Sequence, residues 1–257
     1  MLLKACCLLL VLSLLIVACT KDDPVSAGKS RLTMSISRWH DSARYSYFFY
    51  DQQNRLTSLV DSENTNYSKR FASFVYDATG KLVKSIYTND VNNTVAQDSF
   101  WYDDDRIIRK TYSDSWNNSG NITFSYDGQG RLTGDTSYYN RTGNLYGFTD
   151  YTYDGDDNMV SWQEHHDELG VMKSWGITSA SYNNSINPYY DLGVPLFVIT
   201  RDNSVLSKHL RKQVTYYDGT IQNFVYEYYP GGNVKKLTLI SAQYGYTDST
   251  TLEFFYQ

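Results

Sequence analysis

The sequence predicts an all-β domain: an antiparallel meander of repeated β-hairpins that forms a strongly curved sheet or a partly open barrel. Three observations carry that expectation. The chain of 257 residues holds 25 tyrosines, many of them in a Tyr-Asp pair followed by Gly or Asn, a basic residue and a leucine. The pair returns at a steady interval: Tyr50, Tyr76, Tyr102, Tyr126 and Tyr153 are separated by 26, 26, 24 and 27 residues. Between successive pairs, Asn, Asp, Ser and Gly mark a second turn, as at Asn64 to Asn66, Asn89 to Asn93, Asn117 to Gly120 and Asn140 to Gly143.

The segments divide as follows. Residues 1–18 read as a signal peptide: Lys4 gives a short positive region, and Leu8 to Val17 give an apolar run broken only by Ser13. That run suits export and falls short of the roughly 20 residues a membrane span needs. Residues 19–30 carry Asp, Pro, Gly and Ser without hydrophobic period, as a flexible tether does. Residues 31–257 form the single hairpin-repeat domain, with no sign of a second.

The motif is strongest at Phe48 to Leu56, Phe74 to Leu82 and Phe124 to Leu132. Weaker copies stand at Phe100 to Ile107, Tyr151 to Met159 and Tyr226 to Val234, and Leu252 to Tyr256 is a last aromatic strand. Aromatics suit a pleated, half-buried surface. The Asp can accept backbone amides of the turn, and the Gly or Asn that follows tolerates a positive φ. Allowing for turns, the period leaves about nine residues per strand, or roughly 30 Å, so fourteen to eighteen strands are expected.

From Ser185 to Lys212 the period lapses. A long connection in a short-looped meander is either functional or packed on the sheet. The spacing of Leu196, Ile199, Leu206 and Leu210 predicts one short helix, or else a long loop, around residues 187–212. Strict alternation puts Leu132, Gly134, Thr136 and Tyr138 on one face, and Leu82, Lys84 and Ile86 on one face. Neither is the apolar band of a membrane barrel strand. A sheet outside the lipid, its tyrosines burying their carbon faces and keeping their hydroxyls wet, is therefore expected.

Two resemblances bear on address. Leu15-Ile16-Val17-Ala18-Cys19 resembles the lipobox of bacterial lipoproteins, which implies cleavage before Cys19, a diacylglyceryl thioether on its sulfur and a palmitate-type acyl chain on its amine. Cys19 is then the lipid-attachment residue, and several chains anchor stably where one does not. Lys21-Asp22-Asp23 is similar to the acidic surface-export signal of one Gram-negative phylum, implying an outer-membrane, cell-surface lipoprotein rather than a periplasmic one. Asp41-Ser42-Ala43 and Asp248-Ser249-Thr250 resemble the O-glycosylation sites of that phylum.

Two further resemblances bear on fold. The Tyr-Asp-x-x-Gly-Arg-Leu core resembles the YD repeat of the RHS and teneurin shells, without their long array or toxin segment. From about residue 30 onward, including Asn187-Pro188-Tyr189-Tyr190-Asp191-Leu192-Gly193 and the final Tyr-rich hairpins, the chain resembles lipoprotein domains of unknown function with a porin-like fold. That resemblance implies a curled or barrel-like antiparallel sheet and no activity.

Composition and motifs mostly exclude. Cys6 and Cys7 leave with the signal peptide and Cys19 is acylated, so no disulfide is expected. Losing Lys4 leaves 22 basic against 28 acidic residues, a charge of −6 with interleaved signs, which argues against nucleic acid as a partner. Glu164-His165-His166-Asp167-Glu168 is rich in metal-type ligands, but neighbours on a strand point to opposite faces; a solvated turn is expected, and no metal. His40 and His209 stand alone. Asp154-Gly155-Asp156-Asp157-Asn158 lacks the distal glutamate of a calcium loop, and like Asp103-Asp104-Asp105 it falls on the repeat's own turn. No catalytic residue or cofactor is expected, and no enzyme. Trp39, Trp101, Trp116, Trp162 and Trp175 are candidate platforms for sugar stacking. The expectation is a monomeric, membrane-anchored, non-catalytic protein binding glycan, peptide or protein; the alternative is a carrier or chaperone for a lipid-like molecule in an open-barrel groove.

Overall fold

The computed structural model describes residues 32–39, 42–63, 69–89, 95–115, 118–139, 142–187, 203–243 and 246–256. Cys19, the tether, His40, Trp116 and most of the long connection lie outside the described residues. The first hairpins are built from β1 (Leu32–Trp39), β2 (Ser42–Tyr50), β3 (Leu56–Glu63), β4 (Lys69–Tyr76), β5 (Leu82–Asn89) and β6 (Val95–Asp103). The middle follows with β7 (Arg106–Ser113), β8 (Ser119–Tyr126), β9 (Leu132–Tyr139), β10 (Leu145–Tyr153) and β11 (Met159–Glu168). The remainder is β12 (Val171–Ser174), β13 (Thr178–Ile186), β14 (His209–Thr215), β15 (Ile221–Tyr228), β16 (Val234–Gln243) and β17 (Tyr246–Tyr256).

Consecutive strands pair antiparallel, except that β12 and β13 both pair with β11, and β17 pairs back onto β1, so the sheet closes. β11 pairs with β12 along its outer half and with β13 along its inner half, so these two share one position and the barrel has sixteen. Closure leaves no free edge to protect. Among the described residues the helix expected near 187–212 reduces to one 3-10 turn, Asn203–Leu206. Leu210, assigned to that helix by spacing, lies on β14 instead, where its neighbours pair with β13. No described helix is long and apolar enough to cross a membrane.

The repeat explains itself at the Tyr-Asp turns. In the turn after β8, Asp127 Oδ1 accepts the amides of Gln129 and Arg131 at 2.9 Å each, and its Oδ2 accepts Arg131 Nε at 2.8 Å. The Arg131 hydrogen bonds, backbone and then side chain, hold the Asp127 carboxyl below its ordinary value. Gly130 sits at φ +86°, the left-handed position of a three-residue hairpin loop. Asn54, Gly80, Asp104 and Asp157 supply the same positive φ in the sister turns.

One residue past each turn the register slips. Tyr126 pairs with Leu132 but Ser125 pairs with Gly134, leaving Thr133 as a bulge. The same slip follows the motif tyrosine on β2, β4, β6 and β10, and again on β15. The bulge overturns the faces expected from strict alternation. Leu132 points inward with Asp135 and Ser137, while Gly134 and Thr136 point outward; Leu82 shares the interior with Ser85 and Tyr87, not with Lys84 and Ile86.

The tyrosine hydroxyls are likewise not left to water. Tyr76 donates to the carbonyl of Leu56, Tyr102 to that of Leu82 and Tyr126 to that of Ile107, at 2.9, 2.9 and 2.8 Å. Each bond reaches back to the first or second residue of the preceding repeat's return strand. The preceding repeat's cation also lies over the ring: Arg55 over Tyr76 at 4.7 Å, Lys81 over Tyr102 at 5.4 Å and Arg106 over Tyr126 at 5.7 Å. Burial pushes the Tyr102 phenol up to about 12. Each repeat thus locks onto the next.

Leu82, Ile107, Leu132 and Met159, one per repeat, fill the interior at the Tyr-Asp end. They join one apolar core with Phe74, Phe100 and Phe124 from the adjacent strands and with Val214 of β14. The long connection returns beneath this end: Ser207 Oγ accepts the Met159 amide at 3.1 Å, and Leu206 enters the core. The Tyr-Asp end is therefore filled with side chains rather than open.

Candidate functional site

Above the apolar layer the interior turns polar. Asp98 is held by Lys110 at 3.0 Å and by Ser85 at 3.1 Å, with Tyr87 at 3.3 Å. Burial first, then the Asp98 carboxylate, pushes the Tyr87 phenol up to about 12. Asp61 accepts Arg44 and Ser46, each at 2.5 Å, and Asp135 accepts the Tyr151 hydroxyl at 2.5 Å. These buried charges are compensated by direct hydrogen bonds, which their desolvation demands.

Toward the end opposite the Tyr-Asp turns, β9, β10, β11, the link after β12 and the 3-10 turn line a cavity of about 410 Å³. Its polar lining includes Asp135, Ser137, Thr149, Glu164, His166 and Asn203. Tyr146, Tyr151, Trp162 and Trp175 supply the aromatic part. Trp162, Glu164 and His166 share the inward face of β11 because they pair with Tyr151, Thr149 and Gly147 on β10. Gly147 permits the close approach of the two strands, since a Cβ there would sit 2.4 Å from the His165 carbonyl oxygen.

Half-exposed aromatics collar this mouth. Trp175 lies 5.2 Å from His166 and 5.4 Å from Tyr217, and Tyr139 meets Tyr146 edge-on at 4.9 Å. The Tyr112 ionisation is raised by burial and then by its neighbours Tyr146, Asp114 and Tyr139. Deeper in, the Arg211 guanidinium lies over the Trp162 ring at 5.2 Å and donates to Asn203 Oδ1 at 2.7 Å. His166 Nδ1 is shielded and lacks a hydrogen-bond partner.

The candidates from the sequence separate. His165 and His166 lie on β11, not in a turn; the turn comes later, at Leu169 and Gly170, both with positive φ. His165 faces outward, stacked on Phe148 at 4.1 Å, with Ser174 Oγ 2.7 Å from Nδ1 and Asp150 3.4 Å from Nε2. Serine and carboxylate thus stand on the sides of the ring reverse to those of a hydrolytic triad, Nε2 makes no hydrogen bond, and both groups are exposed on the outer wall. His209 binds Asn158 at the closed end, and Asp154 caps its own turn by accepting Asp156 and Asn158. Among the described residues no group of three or more His, Cys, Asp or Glu could hold a metal ion. Trp101 sits on the outer wall under Arg109 at 4.1 Å. Of the tryptophans with described side chains, Trp162 and Trp175 reach the cavity. Ser42 and Ser249 are exposed. The mouth itself was missed, although Trp162, Glu164 and His166 carry a period-two signal for one strand face.

No family model matches the chain, and no curated protein matches its sequence. Solved structures do resemble it. A porin-like protein from Bacteroides uniformis superposes with a TM-score of 0.62 at 13% identity, covering 88% of this chain and 98% of its own. A porin-like protein from Bacteroides vulgatus gives a TM-score of 0.44 at 11% identity, covering 89% and 99%. The likeness to the Bacteroides uniformis protein is one of fold: this chain is an all-β, closed, porin-like barrel.

Proposed function

We propose that the protein is a lipid-anchored, non-catalytic binding protein of the outer membrane, displayed at the cell surface, which takes its ligand in the mouth of the barrel. The single observation that carries this reading is the mouth cavity: an aromatic collar over a polar floor, at the one end of the barrel its own repeat does not fill. The outer faces of β8 and β11 support a barrel outside the lipid. On β8 the outward residues are Ser119, Asn121, Thr123 and Ser125, and on β11 they are Ser161, Gln163 and His165. A membrane barrel needs an apolar band there, about 25 Å tall.

The lipid on Cys19 supplies attachment instead. Leu32 opens β1 at the Tyr-Asp end of the barrel. Eight strand residues separate the two ends, about 26 Å at the usual rise. The Cys19→Ala chain is expected in the soluble fraction with its fold intact; retention in the membrane fraction would overturn the tether.

A lipid-like cargo fits this mouth poorly, because Asp135 and Glu164 would be desolvated against hydrocarbon. The binding reading is tested by tryptophan fluorescence with neutral oligosaccharides, short peptides and a fatty acid. A saccharide or peptide response is expected, with Kd raised about tenfold or more in Trp175→Ala, the loss of one good contact. A response to the fatty acid alone would establish the carrier, and a response that Trp175→Ala leaves unchanged would place the ligand elsewhere.

A further inference from the structure

Resting on that reading, we infer that the mouth cavity recognises a saccharide lacking acidic groups. Three features of the lining combine. The first is charge. The lining includes Asp135 and Glu164, and no Lys or Arg among its described residues. Of the interior cations, Lys110 is paired with Asp98 at 3.0 Å, and Arg211 lies over the Trp162 ring and donates to Asn203 at 2.7 Å, its Nε without a partner. A uronic acid, a sialic acid or a phosphate brought here would meet carboxylates of its own sign, with no Lys or Arg in the described lining to offset them. Such juxtaposition in a partly desolvated site is strongly unfavourable.

The second is the mix of hydrogen-bonding groups. Ser137, Thr149, Tyr146, Asn203 and His166 can donate as well as accept, while Glu164 accepts. Sugar hydroxyls likewise do both, so each finds a complement. An ammonium ligand could use only the acceptors. The cation seat on Trp162 is, moreover, already taken by Arg211 at 5.2 Å. The third is the aromatic surface. Trp175 is 42% exposed, so its ring has area free for the C–H face of a pyranose. The cavity of about 410 Å³ lies toward the small end of the usual ligand-pocket range, roughly 300–1,000 Å³. That is room for a short saccharide inside, with further units crossing the collar at Tyr146 and Tyr139.

The test is calorimetric titration of the full chain carrying Cys19→Ala. The probes are gluco-, manno- and galacto-oligosaccharides, N-acetylglucosamine oligomers, oligogalacturonate and spermidine. Binding is expected for at least one uncharged series and not for oligogalacturonate at the same pH and ionic strength. Glu164 is exposed at the rim, so Glu164→Gln keeps the fold. It should weaken the uncharged ligand about tenfold, the value of one charge-assisted hydrogen bond, and narrow its margin over oligogalacturonate. Preference for oligogalacturonate, or binding of spermidine with no saccharide, would overturn the inference while leaving a ligand-binding mouth intact. If no probe binds and the peptides and fatty acid above also fail, the inference and the binding function fall together.

Discussion

Lys110→Ala is expected to destabilise the barrel by about 3–5 kcal/mol, enough to threaten folding, because it strands a buried carboxylate. Lys110 and Asp98 lie across β6 and β7 from each other's register, their side chains 9% and 8% exposed and 3.0 Å apart. Ser85 and Tyr87 complete the shell around Asp98, but both are neutral and neither offsets its charge. The pair itself need not stabilise the fold relative to an apolar filling, since desolvating two ions costs about what their attraction returns. The double variant Lys110→Met/Asp98→Leu should therefore recover most of the loss. Urea titrations of the three proteins check this. A single variant within 1 kcal/mol of the parent, or a double variant no better than the single, would overturn it.

Such a pair could not be recognised beforehand, and the reason is physical. Asp98 and Lys110 carry no signal of burial in a sequence where acidic residues abound at turns. Only strand register brings them together. The repeat was legible because its parts act locally: Asp127 caps the turn that follows it, and Gly130 takes a φ set by that turn. Tyr126 announced a strand, but the bond from its hydroxyl to the Ile107 carbonyl depends on the neighbouring hairpin. The mouth lay further beyond reach. It assembles Asp135, Tyr146, Trp162, Glu164 and Trp175 from β9, β10, β11 and the link after β12, and none forms a motif with its neighbours. The long connection misled through spacing alone, because Leu206 and Leu210 satisfy a helical period while one ends a 3-10 turn and the other lies on a strand.

Leu132→Ala carries the second large effect and tests the bulge that strict alternation overlooks. Leu132 is 1% exposed, in contact with the apolar core at the closed end of the barrel. Truncation removes its transfer free energy and leaves a cavity, together about 2–5 kcal/mol. The informative comparison is Thr136→Ala on the same strand. Alternation counted from Leu132 would put Thr136 on the buried face. The bulge at Thr133 turns it outward, opposite Thr123 and Phe148, where a truncation should cost no more than about 0.5 kcal/mol. Asp135, one residue earlier, then faces inward to accept Tyr151 and line the mouth. The bulge that seats Leu132 in the core thus also aims Asp135 at the cavity. A large loss at Leu132 with a negligible one at Thr136 is the expected outcome from thermal or urea unfolding. Equal losses at the two positions would mean the strand keeps simple alternation, and would remove Asp135 from the site.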